Sequence, residues 1–196
     1  MTLAAGVLLG VTGPVAEKWD NPVGVILGLV FHGGWPWACY AFLVGFFRRS
    51  RTESAILSSL GLTCAVVAYY VVKDISPTVP AGLEAGAFTQ VSYSAILFWG
   101  VAAFVLGAPV GILGNLARAS GAAGLTFRLI VPAMALLETY VRLTNEANGE
   151  KSIIVNTWIA TLLAATAAVL AILGHAIFFR WNARRAHSTG PRNYSG

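Results

Sequence analysis

Charged residues are scarce in this chain of 196 residues, where they make up 11% of the total against a hydrophobic share of 57%. The mean hydropathy is +0.71, which excludes an ordinary soluble domain. Cysteine is also sparse, at two residues. Cys39 and Cys64 both fall in apolar segments and form no CxxC pair. We therefore interpret them as buried apolar side chains and expect no metal site.

Several motifs that would indicate a particular chemistry are also missing from the sequence. It has no DDxxD-like aspartate cluster to hold magnesium and a diphosphate, which disfavours metal-dependent ionisation of such a substrate. It has no GxSxG, HExxH or P-loop motif. Its apolar segments carry no series of charges of the kind that pumps use. We therefore expect neither a metal nor any other cofactor.

Long apolar segments, in contrast, fill most of the sequence. Six are candidates for membrane-spanning helices, at residues 2–15, 23–47, 55–72, 91–110, 125–141 and 153–179. The pattern predicts an all-α, polytopic membrane helix bundle with about six transmembrane helices. Residues 1–180 form a single transmembrane domain in this prediction, and residues 181–196 form a basic, mobile tail.

The second apolar segment is too long for one simple crossing. Gly33, Gly34 and Pro36 interrupt it, so it forms either one strongly kinked helix or a half-helix that leads into a shorter crossing helix. Two glycines and a proline together favour the half-helix, because they break a helix rather than bend it. Asn21 followed by Pro22 predicts the start of that half-helix, as an N-cap with proline at the first helical position.

The sign of the charge alternates between successive ends of the apolar segments. One set of ends carries most of the arginines, namely Arg48, Arg49, Arg51, Arg118, Arg128, Arg180, Arg184, Arg185 and Arg192. The opposite set carries most of the acids, namely Glu17, Asp20, Asp74, Glu84, Glu146 and Glu150. By the positive-inside rule both termini are cytoplasmic, and the expected location is the plasma membrane. A net charge of +5 spread over helix ends and a tail is unlike a nucleic-acid-binding patch, so no nucleic-acid partner is expected.

Three Gly-x-x-x-Gly motifs, which begin at Gly6, Gly24 and Gly107, allow helices to pack closely. They serve either contacts within one chain or a homo-oligomer, and the spacing does not distinguish between the two. Pro109, Gly111 and Gly114 also predict the end of the fourth helix, followed by a loop of small residues over 115–124.

Glu138 is the most informative single residue, because it lies about one turn inside an otherwise apolar helix. A carboxylate there is costly to desolvate, so we expect it to be paired, protonated or directed into a cavity. A carboxylic acid in an apolar pocket is suited to donate a proton. The alternative is an ion pair with Arg142, four residues later on the same helix face.

Other candidate residues lie on the same acidic side as Glu138. Asp74 and Glu17 would tune or reload Glu138 as a catalytic acid, although acids at helix ends need no special role. His32 could relay a proton. The candidate substrate-binding residues are His32, Trp35, Trp37, Tyr69, Tyr70, Trp99 and Tyr140. Aromatic faces stabilise cations, but anchoring at the membrane interface explains these aromatics equally well.

Some of these features resemble known proteins. The Gly34-Trp35-Pro36-Trp37 break, the Ala41-Phe-Leu-Val-Gly45 stretch and the Ala68-Tyr-Tyr70 helix end resemble a family of small actinobacterial membrane proteins. The layout also resembles the integral-membrane terpene cyclases of meroterpenoid pathways, in which an acidic residue starts cyclisation without metal. No cyclase motif is matched residue by residue, so no site residue is carried over from them.

These features together lead to two hypotheses. The first is a membrane-embedded, metal-independent isoprenoid (terpene) cyclase, in which Glu138 protonates an alkene or epoxide in an aromatic-lined cavity. Its expected partners are the lipid bilayer and a hydrophobic isoprenoid substrate. The alternative is a non-catalytic membrane subunit or a small-molecule binding or transport component.

Overall fold

The computed structural model describes residues 1–75 and 93–188 of the chain, with side chains up to residue 178. All the regular structure in these two ranges is α-helical. The helices are α1 (Thr2–Ala16), α2 (Pro22–His32), α3 (Gly34–Phe46), α4 (Arg51–Ile75), α5 (Tyr93–Leu116), α6 (Gly121–Asn145) and α7 (Ser152–Ser188). The all-α prediction is therefore confirmed. Glu84 and the last residues of the predicted tail lie outside the described ranges, while α7 includes the first part of that tail.

The helices have the length and composition of membrane helices. Four of them, α4 to α7, are long and apolar enough to span a bilayer, and α2 and α3 together form a fifth candidate that is bent by 66°. Helix α1 is apolar but shorter, at 15 residues. Large apolar side chains such as Leu97, Leu106 and Leu163 are exposed on the outside. These properties indicate a helical membrane protein whose outer surface contacts lipid.

The second apolar segment forms two separate helices, as the half-helix prediction requires. Asn21 caps α2, since its side-chain oxygen accepts a hydrogen bond from the Gly24 N–H at 2.9 Å, and Pro22 is the first helical residue. Gly33 separates α2 from α3 in an extended conformation, with φ −68° and ψ 152°. The predicted N-cap and the predicted break are both confirmed.

Helix α4 lies against α1, α3 and α5, and small residues make these contacts close. A Cβ atom at Gly10 would collide with the Ala65 carbonyl of α4, and one at Gly107 would lie too close to the backbone of Ser59. Gly24 faces the carbonyl oxygens of Ala16 and Trp19 in the same way. All three Gly-x-x-x-Gly motifs therefore make close contacts within the chain.

Helix α5 is longer than the sequence predicts. It continues through Pro109 and Gly111 and ends at Leu116, beyond the predicted end of the apolar segment at residue 110 and two residues past Gly114. Gly111 and Gly114 are buried against the backbones of α3 and α4. Tertiary packing therefore stabilises a segment whose local sequence favours a helix end.

Arg48 connects several helix ends by hydrogen bonds at one end of the bundle. Its carbonyl oxygen accepts hydrogen bonds from Asn115 at 2.6 Å and from Arg118 at 2.7 Å. Its guanidinium group donates to Thr2 at 2.8 Å and to Glu53 at 3.0 Å. Arg48 therefore joins the start of α1 to the end of α5 and to the segment between α3 and α4. Two of the arginine-bearing ends identified in the sequence, at Arg48 and at Arg118, lie together here.

Candidate functional site

The break between α2 and α3 creates backbone groups that have no partner within either helix. In a bilayer such groups must be satisfied by other parts of the protein. The Trp37 indole N–H donates to the Phe31 carbonyl at the end of α2, at 3.0 Å. At the start of α3, the Glu138 carboxylate accepts from the N–H groups of Gly34 at 3.0 Å and Trp35 at 3.1 Å. These two side chains thus stabilise both sides of the break.

Glu138 is also paired with Arg142. The Arg142 guanidinium donates to Glu138 Oε1 at 3.2 Å, and it lies 4.0 Å from the carboxylate of Glu146. Only 22% of the Glu138 side chain is exposed. Its two oxygens therefore accept from two backbone N–H groups and one guanidinium, an arrangement that suits an ionised carboxylate, which only accepts hydrogen bonds.

A second cluster of polar side chains lies on the α2 side of the break. His32, the last residue of α2, places Nε2 at 3.0 Å from the Glu17 carboxylate and Nδ1 at 3.0 Å from the Gly28 carbonyl. Both of these partners are acceptors, so a doubly protonated ring satisfies both contacts. Tyr69 Oη is 3.3 Å from His32 Nε2 and accepts from Lys73 at 3.4 Å. Helices α1, α2 and α4 each contribute to this cluster.

The aromatic candidates divide between this cluster and other parts of the molecule. The ring of Tyr69 makes edge contacts with those of Trp37 at 6.2 Å and Tyr70 at 5.2 Å. Trp99 on α5 and Tyr140 on α6 are instead 53% and 59% exposed. They contribute to neither cluster.

Glu17 and Glu138 bind on opposite sides of the same break. Glu17 contacts His32 at the end of α2, and Glu138 accepts hydrogen bonds from the start of α3. A Cβ atom at Gly33 would lie 3.1 Å from Glu138 Oε1, so the residue between the two helices touches the carboxylate as well. Asp74, in the last turn of α4, makes no hydrogen bond or ion pair with any residue in the described ranges. The structure therefore brings together Glu17, His32, Trp35, Trp37 and Glu138, but not Asp74.

An apolar groove of about 790 Å³ lies between α2, α3, α6 and α7. This volume is in the range of small-molecule sites in proteins. The lining residues are mostly apolar and include Ile26, Val30, Trp35, Cys39, Val131, Pro132, Ala135, Ile153, Asn156, Thr157, Ala160, Thr161, Ala164, Ala165 and Ala168. Helix α7 supplies its long wall of small side chains.

Glu138 does not line this groove. It lines a neighbouring cavity of about 10 Å³, no larger than the space for one water molecule. Val30, Trp35, Thr157 and Thr161 line both spaces. The groove therefore adjoins the cavity that contains the ion pair of Glu138 with Arg142, and Trp35 contributes to both.

Sequence reasoning missed the α7 side of the groove, although a signal for it was present. Ala160, Ala164 and Ala168 recur every fourth residue and therefore share one face of the helix. The functional interpretation must come from the geometry of the chain. Comparisons of the chain with protein-family models, with curated proteins and with solved structures find no match.

Proposed function

We propose that the protein binds an apolar, lipid-like small molecule within the membrane. The observation that carries this proposal is the groove of about 790 Å³, whose walls are apolar and come from four helices. Ala135 and Ala165, at the base of the groove, are only 5% and 8% exposed. The cavity is therefore a recess in the bundle, and its small side chains leave space for a ligand.

The arrangement of charges supports a topology for this binding protein. We place six crossings in the plasma membrane, with α1 as one and the bent pair of α2 and α3 as another. Arg48 and Arg118 meet at one end of the bundle, and Arg128 donates to the carbonyl of Ala117 at 2.8 Å near that end. The positive-inside rule puts this end, and with it both termini, in the cytoplasm.

Filling the groove tests the proposed binding. Ala164→Trp adds a large side chain to the groove wall, and we expect it to exclude the ligand. The measurement is the amount of lipid-like molecule that stays bound to the protein after purification in mild detergent, by native mass spectrometry. We expect the wild-type protein to carry such a molecule and the variant to lose most of it.

Ala133→Trp is the matched control for this experiment. Ala133 is an exposed alanine on α6 that does not line the groove, so the same substitution there should leave the bound molecule in place. Equal retention by wild type and Ala164→Trp, with both proteins folded, would show that the groove is not the binding site.

A metal-independent isoprenoid cyclase is a second candidate function. The position of Trp35 favours it, because this aromatic residue lines both the apolar groove and the neighbouring cavity that contains Glu138. In this mechanism a protonated Glu138 would leave Gly34 and Trp35 and transfer its proton to an alkene or epoxide, and its carboxylate would regain a proton when the cyclised cation is deprotonated. The hydrogen bonds that Glu138 would lose make binding the better-supported function. Turnover of a polyprenyl epoxide that survives Glu138→Gln would exclude Glu138 as the acid, and a wild-type protein that turns over no such epoxide would exclude the cyclase.

A further inference from the structure

We infer that the occupant of the groove is an uncharged long-chain lipid whose polar end carries a hydrogen-bond-accepting oxygen, held by Trp35 and Asn156. This inference rests on the proposed function and specifies its ligand. It follows from the hydrogen-bonding groups of the groove, their position along it, and the charge of its walls.

The polar side chains of the groove differ in whether their donors are already used. Thr157 donates to the Ile153 carbonyl at 2.7 Å, and Thr161 donates to the Thr157 carbonyl at 2.9 Å. The indole N–H of Trp35 and the side-chain amide of Asn156 donate to no residue in the described ranges. Both groups are N–H donors, and since Asn156 is exposed and Trp35 is half-buried, both remain accessible to a bound molecule. An acceptor oxygen on the ligand would give these donors the partner that the protein does not supply.

These two donors belong to the same end of the groove. Trp35 is in the first turn of α3, and Asn156 is in the second turn of α7. Thr157, next to Asn156, lines the small cavity at Glu138 together with Trp35. From Asn156 to Ala168 the wall of α7 extends for about 18 Å, and its lining there is mainly alanine and threonine. The polar end of a ligand therefore fits near Trp35, with its chain along α7.

The lining of the groove carries no charge among the residues that the structure describes. Two charged groups of the adjoining cavity, Glu138 and Arg142, are paired with each other. A charged head group would therefore be desolvated in the groove without a counter-ion. An alcohol, a carbonyl or an ether meets the requirements of the site, whereas a carboxylate or an ammonium group does not.

Cys39 allows this inference to be measured. It lines the groove, and Cys64→Ser makes it the single thiol of the chain, which has two cysteines. The full-length protein is placed in phosphatidylcholine nanodiscs, and the reaction of Cys39 with a lipid-soluble maleimide is followed. The probes are geranylgeraniol and hexadecanol, the hydrocarbons of the same chains, and the corresponding carboxylates. We expect the alcohols to protect Cys39 at concentrations at least about 10-fold lower than the other probes.

Comparison of geranylgeraniol with hexadecanol distinguishes an isoprenoid ligand from a fatty-chain ligand, since the alcohol that protects Cys39 better has the preferred hydrocarbon chain. Trp35→Phe keeps the ring but removes the indole N–H, and Asn156→Leu removes the amide at similar size. We expect each variant to weaken protection by the preferred alcohol about 3- to 10-fold, without changing protection by its hydrocarbon. Trp99→Phe, on the exposed face of α5, is the control and should have no effect.

The failures of the two proposals are distinguishable. If alcohols, hydrocarbons and carboxylates protect Cys39 equally, the inference about the head group is wrong while binding in the groove stands. The same conclusion follows if neither Trp35→Phe nor Asn156→Leu changes protection by the alcohol. If no probe protects Cys39, the proposed function itself is wrong.

Discussion

At the scale of single residues, Glu138 shows how one side chain can complete a structure made by distant parts of the chain. Its carboxylate binds the N–H groups of Gly34 and Trp35, which are 104 and 103 positions away in the sequence. A negative charge at the start of α3 also interacts favourably with the helix dipole. The charge of Glu138 therefore stabilises the broken helix, while Arg142 compensates that charge within the same part of the membrane.

Removal of the Glu138 carboxylate should destabilise the protein. In Glu138→Ala, the N–H groups of Gly34 and Trp35 and the guanidinium of Arg142 lose their acceptor. We expect a loss of about 1–3 kcal/mol in the free energy of unfolding, measured by denaturant titration in micelles. Glu150→Ala provides the control, because Glu150 is exposed before α7 and its removal should cost less than about 0.5 kcal/mol. Equal stability of the two variants would contradict the capping role of Glu138.

At the scale of helices, contacts between backbones decide where each element lies and how long it is. Gly10 lets α1 approach Ala65 of α4, and Gly114 lets α5 approach Phe42 of α3. In a membrane such close packing contributes much of the attraction between helices, because lipid is as apolar as the side chains. This explains why α5 continues beyond Pro109, where the local sequence predicts an end.

A methyl group at Gly10 should disrupt the contact between α1 and α4. The Cβ atom of Gly10→Ala would collide with the Ala65 carbonyl, which belongs to rigid helix backbone, and overpacking of this kind costs about 1–3 kcal/mol. Gly174→Ala is the matched control, since a Cβ atom there meets no atom of the described residues within 4 Å. We expect a lower unfolding midpoint in micelles for Gly10→Ala only. An unchanged midpoint would show that α1 is not packed against α4 in this way.

At the scale of the whole molecule, the bundle separates its charged groups into two ends. Arg48 and Arg118 lie together at one end, whereas the pairs of Glu17 with His32 and Glu138 with Arg142 lie at the break between α2 and α3. The groove begins at that break, so the polar end of the proposed ligand lies on the side away from the arginine cluster. The orientation of the protein therefore determines from which leaflet a ligand would enter.

Labelling on intact cells tests this orientation. In a chain with Cys39→Ser and Cys64→Ser, Asn148→Cys introduces a thiol between α6 and α7, and Ser50→Cys introduces one before α4, both at exposed positions. We expect a membrane-impermeant maleimide to label Asn148→Cys directly and Ser50→Cys only after the cells are permeabilised. The reverse pattern would place the arginine end outside, and labelling of both variants in intact cells would exclude a single orientation.

The sequence by itself determined the features that depend on local chemistry. Apolar composition indicates membrane helices, Asn21 with Pro22 marks the start of α2, and Gly33 with Gly34 marks the break, because each depends on neighbouring residues or on contact with lipid. The ion pair of Glu138 with Arg142 was also among the predicted alternatives, since four residues on a helix bring two side chains to the same face.

Only the tertiary structure decided what depends on distant parts of the chain. The acceptor for the start of α3 comes from α6, the partner of His32 comes from the end of α1, and the groove exists because α7 packs beside α2, α3 and α6. No local pattern specifies which helix face meets which, because in lipid an apolar face can turn either to another helix or to the bilayer at similar cost. The cavity and the capped break follow from that choice of neighbours.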